Sequence, residues 1–136
     1  MPMNYLIVHA LRQYSKYYKD QFHVEFPSGS GKEMMLDEIS NELAKRLVSI
    51  FEKDEKGARR VNGGEEIYRT DPNFKDLVLF YEYFHGDTGS GLGASHQTGW
   101  TSLIADLIGG NEVKNEEWKE GTGHEIFTDE FDGNEE

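Results

Sequence analysis

The chain has 136 residues, no cysteine, 36% hydrophobic and 12% aromatic residues and a net charge of −12, which suits one domain with one modest core and excludes disulfides and thiolate metal sites. Residues 111–136 hold ten acidic against two basic side chains, a net of −8, which leaves −4 for the first 110; with no basic stripe to offset it, this balance disfavours nucleic acid and anionic membranes as partners. No apolar run approaches the ~20 residues that span a bilayer, and Met1-Pro2-Met3-Asn4-Tyr5-Leu6 lacks the basic and small-residue features of a signal peptide, so a cytoplasmic protein is expected.

Met3, Leu6, Ile7, Ala10, Leu11, Tyr14 and Tyr18 recur at helical spacing and predict an amphipathic helix near residues 3–19, with Pro2 suited to its first turn. A helix that begins so early reads either as a true N-terminal helix or as one whose preceding element has been cut away. His23-Val24-Glu25-Phe26, followed by Pro27-Ser28-Gly29-Ser30-Gly31, reads as a short extended piece entering a tight loop. Leu36, Ile39, Leu43, Leu47, Ile50 and Phe51 then form the stripe of a second helix over 36–53, expected to pack antiparallel to the first.

From Gly57 to Asp76 the chain is polar and broken by Gly63-Gly64 and Asp71-Pro72-Asn73, a loop with short extended stretches. Leu77 to Phe84 is the strongest strand signal, an apolar and aromatic run interrupted only by Glu82 at its core. Gly86 to Gly93 places four glycines in eight residues, a loop whose backbone can turn sharply and approach a ligand closely. Trp100, Leu103, Ile104, Leu107 and Ile108 predict a third helix over 97–109, stopped by Gly109-Gly110. The acidic segment 111–136 has no sustained period and is expected to be a mobile tail.

Glu82 carries the strongest chemical signal. Strand alternation would put it on the face of Val78, Phe80 and Phe84, and a carboxylate among apolar groups is costly to desolvate unless it is paired or functional. The alternative is an edge strand that turns Glu82 to solvent or to an arginine. His96, Gln97 and Trp100 follow the glycine turn directly, and donors, acceptors and an aromatic face together suit sugar recognition; Trp100 could equally be the first core residue of its helix. Three other patterns fail. Gly29-Ser30-Gly31-Lys32 lacks the first glycine and the final Ser or Thr of a phosphate loop. Gly89-Ser90-Gly91-Leu92-Gly93 does not continue as a dinucleotide fingerprint. His9, His23, His85, His96 and His124 show no zinc-ligand spacing, so neither metal nor cofactor is expected.

Phe80-Tyr81-Glu82-Tyr83-Phe84, Gly89-Ser90-Gly91-Leu92-Gly93 and His96-Gln97-Thr98-Gly99-Trp100-Thr101, together with the opening Met1-Pro2-Met3-Asn4-Tyr5-Leu6, resemble the C-terminal segment of family 63 glycoside hydrolases, the processing α-glucosidases and their bacterial relatives, with mannosylglycerate hydrolases as more distant cousins. The resemblance covers residues 1–108. It implies a mainly α fold, part of an (α/α)6 toroid with short β-hairpins, in which residues 1–110 form the C-terminal part of the catalytic domain. It implies inverting hydrolysis of an α-glucosidic bond in an oligosaccharide or small glycoside, with Glu82 as general base and Tyr81, His96, Gln97 and Trp100 at the substrate. The aspartate general acid would lie upstream, in a missing N-terminal part of the same domain, so the segment alone is expected to be inactive, because inversion needs two carboxylates about 6.5–9.5 Å apart. The reading from another class is a non-catalytic helical module that associates through exposed apolar faces.

Overall fold

The computed structural model describes residues 1–112; the acidic segment read above as a tail lies almost wholly outside them. In chain order the regular elements are helix α1 (Pro2–Tyr18), strands β1 (His23–Glu25) and β2 (Glu33–Met35), helix α2 (Leu36–Val48), the single-turn helix α3 (Ile67–Thr70), strands β3 (Tyr83–Phe84) and β4 (Gly91–Leu92), and helices α4 (Thr98–Thr101) and α5 (Ile104–Glu112). The strands form two separate two-stranded antiparallel sheets, β1 with β2 in the register Val24 to Met34, and β3 with β4 in the register Tyr83 to Leu92.

Helix α1 starts with proline in its first turn, where the missing N–H costs nothing. Helix α2 starts with Glu38 reaching back to accept from the Met35 N–H at 2.9 Å, with Asp37 and Glu38 against the positive end of its dipole and Lys45 and Arg46 against the negative end. These two helices pack on each other, and α5 packs on α2. Val8, Ala44, Phe51, Val61, Ile104 and Leu107 make the buried cluster between them, with Met1, Tyr5, Leu43, Leu47, Phe80, Tyr81 and Phe84 packed around it. A hydrogen bond of 2.7 Å from the Tyr5 hydroxyl to Asp106 Oδ2 ties α1 to α5 across 101 residues of sequence.

The fold corrects the expected architecture. No toroid is formed: apart from the single turn α3 and a 3-10 turn at Arg60–Asn62, the described chain between α2 and α4 holds no helix, and the helices present make one small cluster beside two β-hairpins. A toroid needs repeated helical hairpins in inner and outer rings, and the breakers Gly63-Gly64 and Asp71-Pro72-Asn73 deny that stretch any helical hairpin.

Three elements differ from their predicted extents. Helix α2 stops at Val48 rather than 53, because the chain turns there: Ser49 Oγ donates back to Arg46 O at 2.8 Å, and Ile50 O accepts from the N–H of Val61 at 3.0 Å. The strand predicted over 77–84 shrinks to Tyr83–Phe84, preceded by a parallel bridge from Phe80 to His96. The third helix is split at Ser102 and Leu103, where the Ser102 hydroxyl donates back to Thr98 O, a bond of the kind that bends helices, and Thr101 Oγ1 donates to Tyr81 O on the neighbouring segment. The stripe read on the first helix also faces the other way. Val8 is its fully buried residue, while Met3, Leu6, Ile7 and Tyr14 lie on the exposed side.

Candidate functional site

The segment Phe80–Tyr83 lies beside the segment Ala94–Trp100, and main-chain hydrogen bonds hold the two together. Phe80 N donates to Ser95 O at 3.0 Å, Gln97 N to Phe80 O at 2.8 Å, and Glu82 N to Ala94 O at 2.9 Å. Further on, the Trp100 N–H donates to Gln97 O and opens α4. Glu82, Tyr81, His96, Gln97 and Trp100, chosen from sequence alone, are thus carried on two neighbouring stretches of backbone.

Glu82 is held firmly at its main chain and only by a long contact at its side chain. The Ala94 N–H, whose carbonyl accepts from the Glu82 N–H, itself donates to Glu82 Oε2 at 3.4 Å. What lets the carboxylate rest on this turn is Gly93. It has φ +76°, and a Cβ placed on it would stand 2.7 Å from Glu82 Oε2 and 2.8 Å from the Tyr83 ring. Gly91 does the same for the neighbouring side chain, since a Cβ there would fall 2.1 Å from Cδ2 of Tyr81. The glycine-rich turn therefore folds down on the Tyr-Glu-Tyr run, and its first job is room rather than flexibility.

Alternation along 80–84 does not hold as expected. Phe80, Tyr81 and Phe84 all pack against the core, while Glu82 is exposed. The extended geometry that would enforce a period of two survives only over two residues. Tyr81 faces inward, with its phenol pKa raised first by burial, then by the hydrogen-bonded Tyr68 hydroxyl and by the negative charge of Glu65. His96, Gln97 and Trp100 are exposed beside Glu82's stretch, with Trp100 at 51%, so Trp100 is not the core residue that its position at the start of a helix also allowed.

Of the carboxylates that could serve as a partner acid among the described residues, Glu25 and Asp106 are engaged elsewhere, while Asp87 is 96% exposed. Glu25 Oε1 accepts from the Gly31 N–H at 2.5 Å, Asp106 accepts from Tyr5, and Asp87 lies 4.0 Å from His85 Nδ1. No group of three or more His, Asp or Glu side chains among the described residues could hold a metal ion. Among those residues, too, no helix is long and apolar enough to cross a membrane.

Sequence reasoning passed over a second polar feature. A cleft of about 220 Å³ opens between the 3-10 turn at Arg60–Asn62 and α3, lined by Arg59, Asn62, Glu65, Glu66, Tyr68 and Arg69 among others. The region reads from sequence only as a polar loop. Its signal is the spacing of Arg59-Arg60, Asn62-Gly63-Gly64 and Tyr68, which has meaning once the two glycines are known to adopt positive φ.

An uncharacterized protein of Saccharomyces cerevisiae is similar to this chain, 47% identical over 109 residues, which is 79% of the chain and 10% of that protein. The chain spans about a tenth of the length of the curated relative it matches. No protein-family profile matches the chain, and no solved structure matches it.

Proposed function

We propose that this chain is the part of an inverting glycosidase that carries the general base, Glu82, for hydrolysis of an α-glucosidic bond in an oligosaccharide or small glycoside. The observation that supports it is the seat of Glu82: an exposed carboxylate held against a peptide N–H by a turn whose glycine has no other atom to put there. A base that activates water needs a solvent-facing carboxylate in a fixed direction, and a structural carboxylate at the same place would be paired with a cation. Exposed His96, Gln97 and Trp100 supply the donors, acceptor and ring face that a sugar uses, with Tyr81 setting the wall behind. The general acid comes from a missing N-terminal part of the same domain, which is the partner this reading requires; nucleic acid and membrane are not among its partners, and its compartment is the cytoplasm.

The decisive experiment is Glu82→Gln in a longer protein that joins this segment to the rest of such a domain. Turnover of an α-glucoside should fall by at least ~10²-fold, the scale of general-base removal, with sugar binding retained. Substantial residual turnover makes another residue the base. Compartment is checked by fractionating cells that express the tagged protein.

A second reading has its own observation. Met3, Leu6 and Tyr17, 71%, 58% and 79% exposed, line the outer side of α1, as they would in a non-catalytic module that associates through apolar faces. Sedimentation of the 136-residue chain at rising concentration tests it, and a chain that remains monomeric removes it.

A further inference from the structure

We infer that Thr101 is a positioning residue for Glu82: its buried hydroxyl fixes the peptide unit that carries the carboxylate and locks that unit to the helical turn bearing Gln97 and Trp100. The role of Glu82 as base, proposed above, is the reading on which this rests.

The peptide unit between Tyr81 and Glu82 is held at both ends. Its N–H, that of Glu82, donates to Ala94 O at 2.9 Å, and its carbonyl, Tyr81 O, accepts from Thr101 Oγ1. The register of the hairpin explains why a side chain is needed there. Strand β3 pairs Tyr83 with Leu92, and an unbroken ladder would next set Tyr81 opposite Ala94. The register slips by one residue instead: Ala94 O takes the N–H of Glu82, and the Ala94 N–H turns to Glu82 Oε2. Such a slip leaves a main-chain group without its ladder partner, and the hydroxyl of Thr101 takes that place.

Thr101 is set for this task by its own turn. It is fully buried on α4, where the Trp100 and Thr101 N–H groups donate to Gln97 O at 3.0 and 2.8 Å. Gln97 donates its own N–H to Phe80 O at 2.8 Å. Phe80 O and Tyr81 O, successive carbonyls, are therefore tied to the same turn, one through a peptide N–H and one through a side chain. The ring of Tyr81 is confined by Gly91, where a Cβ would fall 2.1 Å from its Cδ2. The Glu82 side chain itself has the 3.4 Å contact to the Ala94 N–H, too long to set its direction firmly. The aim of the carboxylate is thus inherited from the backbone, and a misplacement of ~1 Å at a reacting group can cost ~10²-fold in rate.

Thr101→Val keeps the shape of the side chain and removes the hydroxyl. In the longer protein in which Glu82→Gln is measured, kcat for an α-glucoside should fall ~10- to 100-fold while KM stays within about threefold; Thr101→Ser, which keeps the hydroxyl, should retain most of kcat. Ser102→Ala removes the neighbouring hydroxyl, which bonds within the turn to Thr98 O, and should leave kcat unchanged. In the 136-residue chain, where no turnover is needed, amide exchange read by NMR should quicken at least ~10-fold at Glu82 in Thr101→Val, relative to the amides of α1 and α2, and should not quicken in Thr101→Ser. If Glu82→Gln retains turnover, the base reading falls, and the exchange rates alone settle whether Thr101 holds the segment. If Glu82→Gln abolishes turnover while Thr101→Val keeps its kcat, or if Glu82 exchanges no faster in Thr101→Val, the inference is overturned. Should Thr101→Val not fold, Thr101→Ser decides: a comparable loss of kcat, or faster exchange at Glu82, with the hydroxyl kept also overturns it.

Discussion

Three glycine-to-alanine substitutions, two at the turn that seats Glu82 and one in the turn before α3, separate steric room from backbone conformation. Gly64 has φ +85° and nothing within 4 Å of an added Cβ, so Gly64→Ala exposes the conformational term alone, about 1–2 kcal/mol for a left-handed non-glycine residue. Gly91 has no positive φ, but its Cβ would collide with three atoms of Tyr81 at 2.1, 2.3 and 2.8 Å, so Gly91→Ala exposes a packing term that can be relieved only by moving a side chain of the core cluster, about 1–3 kcal/mol or more. Gly93 combines the two, with φ +76° and contacts of 2.7 Å to Glu82 Oε2 and 2.8 Å to the Tyr83 ring. Its flexible neighbours can rotate at about 0.5–1.5 kcal/mol for an off-rotamer side chain, which puts Gly93→Ala near 2–3 kcal/mol, above Gly64→Ala. Urea unfolding of the three variants measures the order. The specific claim lies in a fourth protein: Glu82→Ala in the Gly93→Ala background should recover part of the loss, since it removes the nearest obstruction. If Gly93→Ala costs no more than Gly64→Ala, or if Glu82→Ala restores nothing, the glycine does not hold the carboxylate and the seat argued for the base is wrong.

Tyr5 and Tyr81 both have phenol pKa values raised above the ordinary value near 10, each chiefly by burial, Tyr5 further by its bond to Asp106; the folded chain then keeps protons that the unfolded chain releases, so the stability these two phenols contribute should be fully present below about pH 9 and be lost as pH rises through the raised values, with melting temperature falling less steeply at alkaline pH in Tyr81→Phe. Leu107, fully buried in the main cluster, should lose about 2–5 kcal/mol as Leu107→Ala, whereas Leu6→Ala on the outward side of α1 should change unfolding free energy by less than about 0.5 kcal/mol, as chemical denaturation will show. Tyr5→Phe removes a charge-assisted bond at a partly exposed position and should cost about 1 kcal/mol, read by the same method. The isolated 136-residue chain should release no glucose from any α-glucoside in a coupled assay, because on the reading proposed above it lacks the general acid that inversion pairs with Glu82; hydrolysis abolished by Glu82→Gln would refute that.

Helix existence was readable because α1 and α2 carry strong 3.6-residue periods, α1 with a proline start, while the Glu38 cap of α2 showed only in the fold. Orientation was not. The apolar stripe of α1 looks like a core face by periodicity, yet the side that meets α2 and α5 holds Tyr5, His9 and Arg12 around Val8 and uses polar ties to Asp106 at 2.7 and 3.4 Å. Period finds a stripe; only the partner decides whether it is covered. At the candidate site, glycine spacing marked a close approach, which the fold makes to the side chains of Tyr81, Glu82 and Tyr83, while the side to which Glu82 turns depended on a strand too short to enforce alternation. The cleft at Asn62 was hidden for another reason. Its polarity resembles that of any surface loop, and the burial of Val61 and Asn62, at 1% and 7% exposed, is set by packing that no period in the stretch signals.

The bond between Tyr5 and Asp106 joins positions 101 apart, so α5 completes its contacts only after a large closure of the chain. The entropy of such a closure grows with the logarithm of loop length, and halving the stretch between α2 and α4 would return only about 0.6 kcal/mol. The polar stretch around residues 64–76 should therefore accept insertions, or a cut in the backbone, at small thermodynamic cost. The piece bearing α1 and α2 and the piece bearing α4 and α5 could then be supplied as two polypeptides that reassemble through the Val8, Ala44, Ile104 and Leu107 cluster, with the seat of Glu82 arriving wholly on the second.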